Sequence, residues 1–565
     1  MNLIKKDGGY SFISDNVSFD FLCAPLPSAN GRLYEIEING RIPTPIIKKG
    51  DRLLLPVDEG IAVTADREYE DGEFGCNDIR GKFCSREGTL SMVIVERDGK
   101  FLLIALSDGK YGSYSAKRTD GLYGLEITTK RSAKVSYGIF DTLPDACKCY
   151  RKIKGEAYIS LSEKCNKNPN IKKLIGGAIF WLWNDCYDEV MYSDKNTDKS
   201  AAVGIALIEA AERMHRAGID NALFGIFFCE DSEYVEELYK KYGYLSTQYD
   251  NYSDVLNPAL LDIIPNNRVK ACDYTRRRMK DYPDGVIVEP DGALAKAWAL
   301  KGFDGKFHSQ NQLCPEVARR RIMEEIPRIL SEYPCYAGRF IDVFGGGYEE
   351  CHSDAHPLTM DECKKVKKAA FSFLSDIGLI VGTEDGFEEI IDDIVYTEGL
   401  HSPVYFRNID SGRNHAHTYE SQRAEHIKKH MLDPSCRVPL WHLVYHDSIV
   451  AFPYWGDSTA SSRELLKQKI LYACLYGCAP LYSCFIKDFN ELFEDILSSY
   501  KRISAVHKRV ATLNMTDFEI LSDDYKLQRS VFGDKYEVVA NFSDEERFYN
   551  GCKVGANDFL FEEIK

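Results

Sequence analysis

Gly338-Arg-Phe-Ile-Asp-Val-Phe-Gly-Gly-Gly347, then a polar loop, a helix-like segment from Thr359 to Asp376, and Gly378-Leu-Ile-Val-Gly-Thr-Glu-Asp-Gly386 together decide the fold. The apolar runs Phe340 to Phe344 and Leu379 to Val381 are each the length of a buried strand, and each meets glycine and a carboxylate near its C-terminal end. Strand, helix and strand in this order make a parallel pair with both acids at one edge. In a parallel sheet closed by helices that edge is the active face, so the pattern predicts Asp342 and Glu384 side by side in one pocket.

The same beat extends to both sides. Gly176 to Trp183, Asn221 to Phe228, Tyr244 to Tyr249, Val438 to Tyr445 and Ala479 to Ser483 read as further strands. Helices are expected over Ser200 to Ala217, opening on a serine cap, and over Ser232 to Tyr242 and Ser462 to Tyr476. Seven to eight strands between Gly176 and His507 favour a (β/α)8 TIM-like barrel over an open doubly wound sheet. No Gly-x-Gly-x-x-Gly follows the first strand, which weakens a dinucleotide-binding alternative. Two inserts interrupt the beat: Asn251 to Glu332, with basic and helical material at Arg276 to Lys280 and Glu316 to Leu330, and the histidine-rich Gly386 to Arg437.

Before the barrel, from Tyr10 to about Lys154, short alternating runs are broken by Asn39-Gly40, Asp98-Gly99 and Asp108-Gly109, the pattern of antiparallel strands. After Thr512 the alternation returns over Phe518 to Leu521, Leu527 to Val531 and Lys535 to Asn541. The expected fold class is therefore multidomain α/β plus β. An N-terminal β-sandwich (1–160), architectural in role, and a small C-terminal β domain (511–565) flank a catalytic barrel (170–510).

Composition narrows the function. A net charge of −16 argues against nucleic-acid or anionic-membrane partners, which need a positive surface. Met1 to Ser14 lacks the apolar run of a signal peptide, and no stretch approaches the roughly 20 apolar residues of a membrane span. The 18 cysteines show no framework spacing, so free thiols in a cytoplasmic protein are expected.

Asp342 lies between Ile341 and Val343, where an acid has little structural purpose unless it faces a polar pocket; Glu384 lies between Thr383 and Asp385, with glycines giving a ligand room. Such a pair suits glycoside hydrolysis, in which one carboxylate attacks the anomeric carbon and one carboxylic acid protonates the leaving oxygen. The alternative is that Asp342 caps a helix and Glu384 merely ends a strand. His446 and Asp447 at a later strand end could grip vicinal hydroxyls or form a satisfied buried pair, and Asp250 or Asp254 could bind hydroxyls or sit in an ordinary turn. Trp298, in an insert, is placed to be a sugar platform. His352 to His356, beside Cys351, and His415-Ala-His417 have ligand-like spacing, but no His-Glu-x-x-His is present, so no metal is expected. No cofactor is implied, and the oligomeric state is not legible.

Phe340-Ile-Asp-Val-Phe344, Leu379-Ile-Val-Gly-Thr-Glu-Asp-Gly386 and Val438-Pro-Leu-Trp-His-Leu-Val-Tyr-His-Asp447, in this order, resemble the α-N-acetylgalactosaminidase families of glycoside hydrolases, the endo-acting family 101 and the shorter, intracellular family 129. The resemblance covers roughly residues 170 to 560. It implies a retaining α-glycosidase acting on a carbohydrate substrate, with Asp342 the nucleophile and Glu384 the general acid/base. Asp254, Trp298, His446 and Asp447 would line the sugar subsite. The acetamido preference is implied by this resemblance alone. An exo-α-galactosidase with the same acids, or a non-catalytic carbohydrate-binding protein, stays open.

Overall fold

Eight short strands of the central region pair in parallel and in chain order: β1 (Ala178–Trp183), β2 (Ala222–Ile226), β3 (Leu245–Asn251), β4 (Gly338–Asp342), β5 (Ile380–Thr383), β6 (Tyr396–Glu398), β7 (Val450–Phe452) and β8 (Leu481–Phe485). β8 returns to pair with β1, Ile179 opposite Leu481. At the one remaining gap, between β7 and β8, the Ala479 amide donates to the Ala451 carbonyl at 3.1 Å, so the sheet is a nearly closed barrel. The structure is a computed structural model and describes the chain except residues 7, 23, 65–66, 68–76, 156, 184–199, 228–231, 265–277, 408–410, 413–420 and 565.

Inward positions alternate along each strand, as a period of two requires. Trp181, Trp183, Leu223, Leu245, Tyr249, Phe340, Ile380, Tyr396, Phe452 and Leu481 fill the barrel with one hydrophobic cluster. Space there is tight enough to dictate glycine: a Cβ on Gly225 would stand 2.3 Å from the Trp181 ring, and one on Gly382 would stand 2.0 Å from the Tyr396 ring. Helices cover the outside. Met360–Asp376 follows β4 and starts on a capping box, with the Thr359 hydroxyl accepting from the Glu362 amide and the Glu362 carboxylate accepting from Thr359, as the Thr-x-x-Glu spacing dictates. Arg463–Tyr476 lies between β7 and β8, and Ile486–Val510 follows β8.

Two expectations fail here. Val438 to Tyr445 is not a strand: Leu440–Tyr445 is a helix, and the seventh strand is Val450–Phe452. All six helical residues are buried, so no apolar period survived to distinguish helix from strand. The sixth strand, Tyr396–Glu398, lies inside the stretch read as an insert; at three residues it is too short to leave a pattern. The side chain of the proposed cap Ser200, the segment Arg276 to Arg277 and the pair His415 and His417 fall outside the described residues.

The N-terminal region is antiparallel throughout. A three-stranded meander (residues 2–22) lies beside a nine-stranded sheet spanning Ser28–Asn30 to Leu122–Phe140. Phe12 and Phe21 of the meander pack on Tyr137 of the long strand. The Asp98-Gly99 and Asp120-Gly121 pairs turn their hairpins with positive φ at both residues, whereas Asn39-Gly40 lies within strand Leu33–Ile42. At the C-terminus, Met515–Ile520, Leu527–Phe532, Tyr536–Asn541 and Asp558–Glu563 form a four-stranded antiparallel sheet, with Tyr472 of helix Arg463–Tyr476 against Phe542 beside it. One hydrophobic cluster runs continuously from Tyr10 through Val93 and Trp441 to Val538. Among the described residues no helix is long and apolar enough to cross a membrane.

Candidate active site

At the C-terminal mouth of the barrel the inward-facing positions change from aromatic to acidic. Asp342 follows Phe340 by two residues and Glu384 follows Ile380 by four, so both continue the inward face of their strands. Ile341 pairs with Thr383, which sets Asp342 and Glu384 at the next matched position of neighbouring parallel strands. Both are buried, at 7 % and 8 % exposure.

Asp342 is held from one side. Its Oδ2 accepts the Tyr249 hydroxyl at 2.5 Å and the Asn251 amide at 3.3 Å, both from β3, while its Oδ1 has no hydrogen-bond partner among the described residues. Directly after it, Val343 adopts φ +62°, and the Phe344 amide donates to the Asp342 carbonyl at 2.7 Å. A β-branched residue in the left-handed region costs on the order of 1–3 kcal/mol, and it turns the chain sharply off the end of β4. Gly345 then donates to the Thr383 hydroxyl at 3.1 Å, tying the strained loop to β5.

Glu384 is held from β7's side: Oε1 accepts the Tyr454 hydroxyl at 2.9 Å. The Arg407 guanidinium lies 4.2 Å from the Tyr454 ring centre and donates to the carbonyls of Ser402 and Gly399 at 2.6 and 2.9 Å, fixing that ring. A second cation comes from outside the barrel. Arg86, on the turn between the bridged residues Ser85 and Gly88 of the N-terminal sheet, pairs with Asp385 at 3.5 Å.

Burial pushes the Asp342 carboxyl well above the usual carboxylate range and the nearby Glu384 charge adds to it, while the Tyr249 hydroxyl opposes the rise. Burial also raises Glu384, with Asp385 adding and Arg86, Tyr454 and Arg407 opposing. Two buried carboxyls that repel each other's charge retain a proton as a pair where isolated acids would have lost it. The Tyr249 and Asn251 donors on its Oδ2 favour the ionised form of Asp342, against its burial.

The other expected residues divide. Asp254 belongs to the site: Asn251 Nδ2 donates to its Oδ2 at 2.9 Å, so one amide bridges Asp254 and Asp342. Trp298 stands on the strand Lys296–Lys301, 44 % exposed, and Gly412 separates it from Tyr454: a methyl there would lie 3.2 Å from both its ring and the Tyr454 hydroxyl. His446 and Asp447 do not belong. They precede β7 and lie at the opposite, N-terminal end of the barrel, where the His446 ring contacts the carbonyls of Leu513 and Gly477 and Asp447 accepts the Tyr158 hydroxyl. Their expected place rested on a strand that is a helix. Asp250 is also withdrawn, facing outward against Arg339 at 3.3 Å with both side chains buried.

Sequence reasoning missed Tyr249, Asn251, Tyr454, Arg407, Asp385 and Arg86 as site components, and Glu398 as well. Glu398, at the inward end of β6, is fully buried; Oε1 accepts the Trp181 indole at 2.8 Å and Oε2 has no partner among the described residues. Burial pushes its carboxyl well up. Tyr454 lies in the same short signal as the missed strand β7, but nothing local marks Arg86.

Residues 213–531 match the family model of the glycosyl hydrolases related to the GH101 family, GH129. Among solved structures, the ligand-free α-N-acetylgalactosaminidase NagBb of Bifidobacterium bifidum superimposes with TM-score 0.68 at 16% identity, over 95% of this chain and 97% of that one. The same protein in its GalNAc complex gives 0.65 at 16% identity over 98% and 90%, and in its Gal-NHAc-DNJ complex 0.67 at 16% over 99% and 100%. A comparison with curated proteins finds no match.

Proposed function

Because the chain belongs to the glycosyl hydrolases related to the GH101 family, GH129, we propose that it is a retaining α-N-acetylgalactosaminidase working by double displacement from a TIM-type (β/α)8 barrel. The flanking sheets are read as domains at 1–160 and 511–565, and the site of action as the cytoplasm. The observation that carries this reading is the register of β4 on β5. It matches Asp342 with Glu384 on strands ~4.8 Å apart, the scale of the about 5 to 5.5 Å separation of retaining carboxyl pairs.

In the first step Asp342 Oδ1, the oxygen with no partner among the described residues, attacks C1 of the sugar. Glu384 gives its proton to the glycosidic oxygen, and the aglycone leaves as an alcohol. The product is a glycosyl ester on Asp342. In the second step Glu384, now ionised, takes a proton from water, the water oxygen bonds to C1, and the ester bond breaks to return the Asp342 carboxylate. Tyr249 and Asn251 stabilise the charge that Asp342 carries before attack and recovers on release. Asp254 and Trp298 would contact hydroxyls and a ring face of the same sugar. The acetamido preference is supported by the name of the Bifidobacterium bifidum protein that this fold matches.

Asp342→Ala tests the core of this reading. Hydrolysis of aryl α-GalNAc should be abolished, and azide should restore part of it by occupying the nucleophile's place; wild-type activity in that variant refutes the assignment. A parallel screen of aryl α-GalNAc, α-Gal and α-Glc separates the acetamido-specific enzyme from an exo-α-galactosidase.

A further inference from the structure

Cys314, Cys351 and His356 each offer one ligand atom, and the three atoms lie within 4.8 Å of one another in a buried cluster. Cys351 Sγ is 3.3 Å from His356 Nδ1. The ring's other nitrogen, Nε2, faces the Asp284 carbonyl at 2.5 Å, and a carbonyl can only accept. Nε2 therefore carries the proton and Nδ1 presents a lone pair toward the sulfurs, the arrangement by which a backbone carbonyl orients a metal-ligating imidazole. The Val288 amide donates to Cys351 Sγ at 3.5 Å, and Cys314 immediately precedes the helix Pro315–Glu332, with its Sγ 3.8 Å from the His356 carbonyl.

We propose that Cys314, Cys351 and His356 form a Zn²⁺ site that pins the loop following the catalytic strand. A tetrahedral zinc with bonds of about 2.3 Å to sulfur and about 2.05 Å to nitrogen spaces its ligands about 3.6 to 3.8 Å apart, and the trio meets this with small side-chain adjustments. Both thiols lose their protons to solvent as the metal binds. Among the described residues no fourth protein ligand joins the cluster, so water completes the shell. The site would hold three segments together: residues 284–288, the start of the 315–332 helix, and the hairpin in which Cys351 and Leu358 exchange amide bonds at 2.8 and 2.9 Å. That hairpin ends the loop that leaves Asp342. The spacing noticed in the sequence is His352 to His356 beside Cys351; His352 is not in the cluster, and Cys314, far away in the chain, takes its place.

A second buried cluster, Glu59, His401, His442 and Cys478, also has ligand-like distances but is already filled by a cation. Arg437 donates from Nε to Glu59 Oε1 at 2.6 Å and its Nη2 stands 3.3 Å from His401 Nδ1, where a metal's charge would be repelled. It serves as the control.

The test is zinc content by mass spectrometry after exposing the reduced full-length protein to Zn²⁺ and removing loose metal with a weak chelator. Wild type and Cys478→Ser should each hold about one zinc per chain, and Cys351→Ser and His356→Gln at least fivefold less. A wild type that retains none, or Cys351→Ser and His356→Gln variants that retain as much as wild type, overturns the proposal. Co²⁺ loaded into the unmutated protein gives a reading independent of variant folding: thiolate-to-cobalt absorption in the near ultraviolet is expected, and its absence is equally decisive against the site. Recovery of Cys314 and Cys351 as a disulfide in freshly isolated protein would also refute it.

Discussion

Tyr249→Phe isolates the hydrogen bond that the proposed nucleophile depends on. The hydroxyl donates to Asp342 Oδ2 at 2.5 Å, while the ring packs on Phe227, Phe340 and Trp455 with centroids 4.7, 6.0 and 5.9 Å away. Phenylalanine keeps those contacts, so the variant should fold. A hydrogen bond to a charged group is worth about 1.5–3 kcal/mol, equivalent at 1.36 kcal/mol per decade to about one to two pH units in the ionisation of Asp342. The sign follows from the donor. An O–H favours the ionised carboxylate, so its removal raises the pKa, and activity that needs ionised Asp342 is then lost at a higher pH. The acid limb of kcat/KM against pH should move upward by about one to two units, and kcat/KM below the new limb should fall about 10- to 150-fold. Measuring hydrolysis of an aryl α-glycoside from pH 4 to 9 decides it. A variant whose acid limb stays in place with undiminished kcat/KM would show that Asp342 does not react as a carboxylate, and the assignment of roles would fall.

Arg86→Met removes a cation that lowers Glu384, so Glu384 should hold its proton longer and the basic limb of the same profile should move up by as much as about one pH unit. Trp298→Ala should raise KM about three- to tenfold with little change in melting temperature, because a half-exposed ring contributes stacking but little core. His446→Gln should leave KM unchanged. Its effect belongs to stability: burial lowers His446 to about 4 from the ordinary 6.5, so the unfolded chain takes up a proton first and stability present above pH 6.5 is lost as the pH falls toward 4. That loss is on the order of 3 kcal/mol, and urea midpoints measured between pH 4 and 7 should flatten in the variant.

What the sequence disclosed follows from where its signals are strong. An acid inside or just beyond an apolar run is conspicuous, so Asp342 and Glu384 could be singled out from their strands, and the helix read between them over Thr359 to Asp376 is found at Met360–Asp376. Signals failed where burial is complete or an element is short. Leu440–Tyr445 is apolar on every side and so carries no period, and β6 has three residues. These two errors had consequences for the site: the first sent His446 and Asp447 to the wrong end of the barrel, and the second concealed Glu398. Residues that tune charge were illegible for a different reason. Arg86 and Arg407 lie in loops, and only the closed sheet shows which loops meet.

That closure also changes the part assigned to the N-terminal sheet. Read from sequence, it is a scaffold; in the structure it also contributes a side chain to the candidate site. Arg86 crosses from it to Asp385, and Glu388, next to β5 in the chain, is met from the N-terminal region by the Ser91 and Tyr150 hydroxyls at 2.6 Å each and by Lys154 at 3.1 Å. Glu59 reaches the other way to Arg437, both of them buried. Removing one member of a buried charge pair costs about 3–5 kcal/mol because the other is left uncompensated, and marginally stable chains tolerate few such losses. The continuous hydrophobic cluster makes the same connection without charge. The charges around the candidate site are therefore set only when the barrel packs against the sheet that precedes it, and the sequence pattern that changes near residue 160 does not divide the two groups of side chains that meet there.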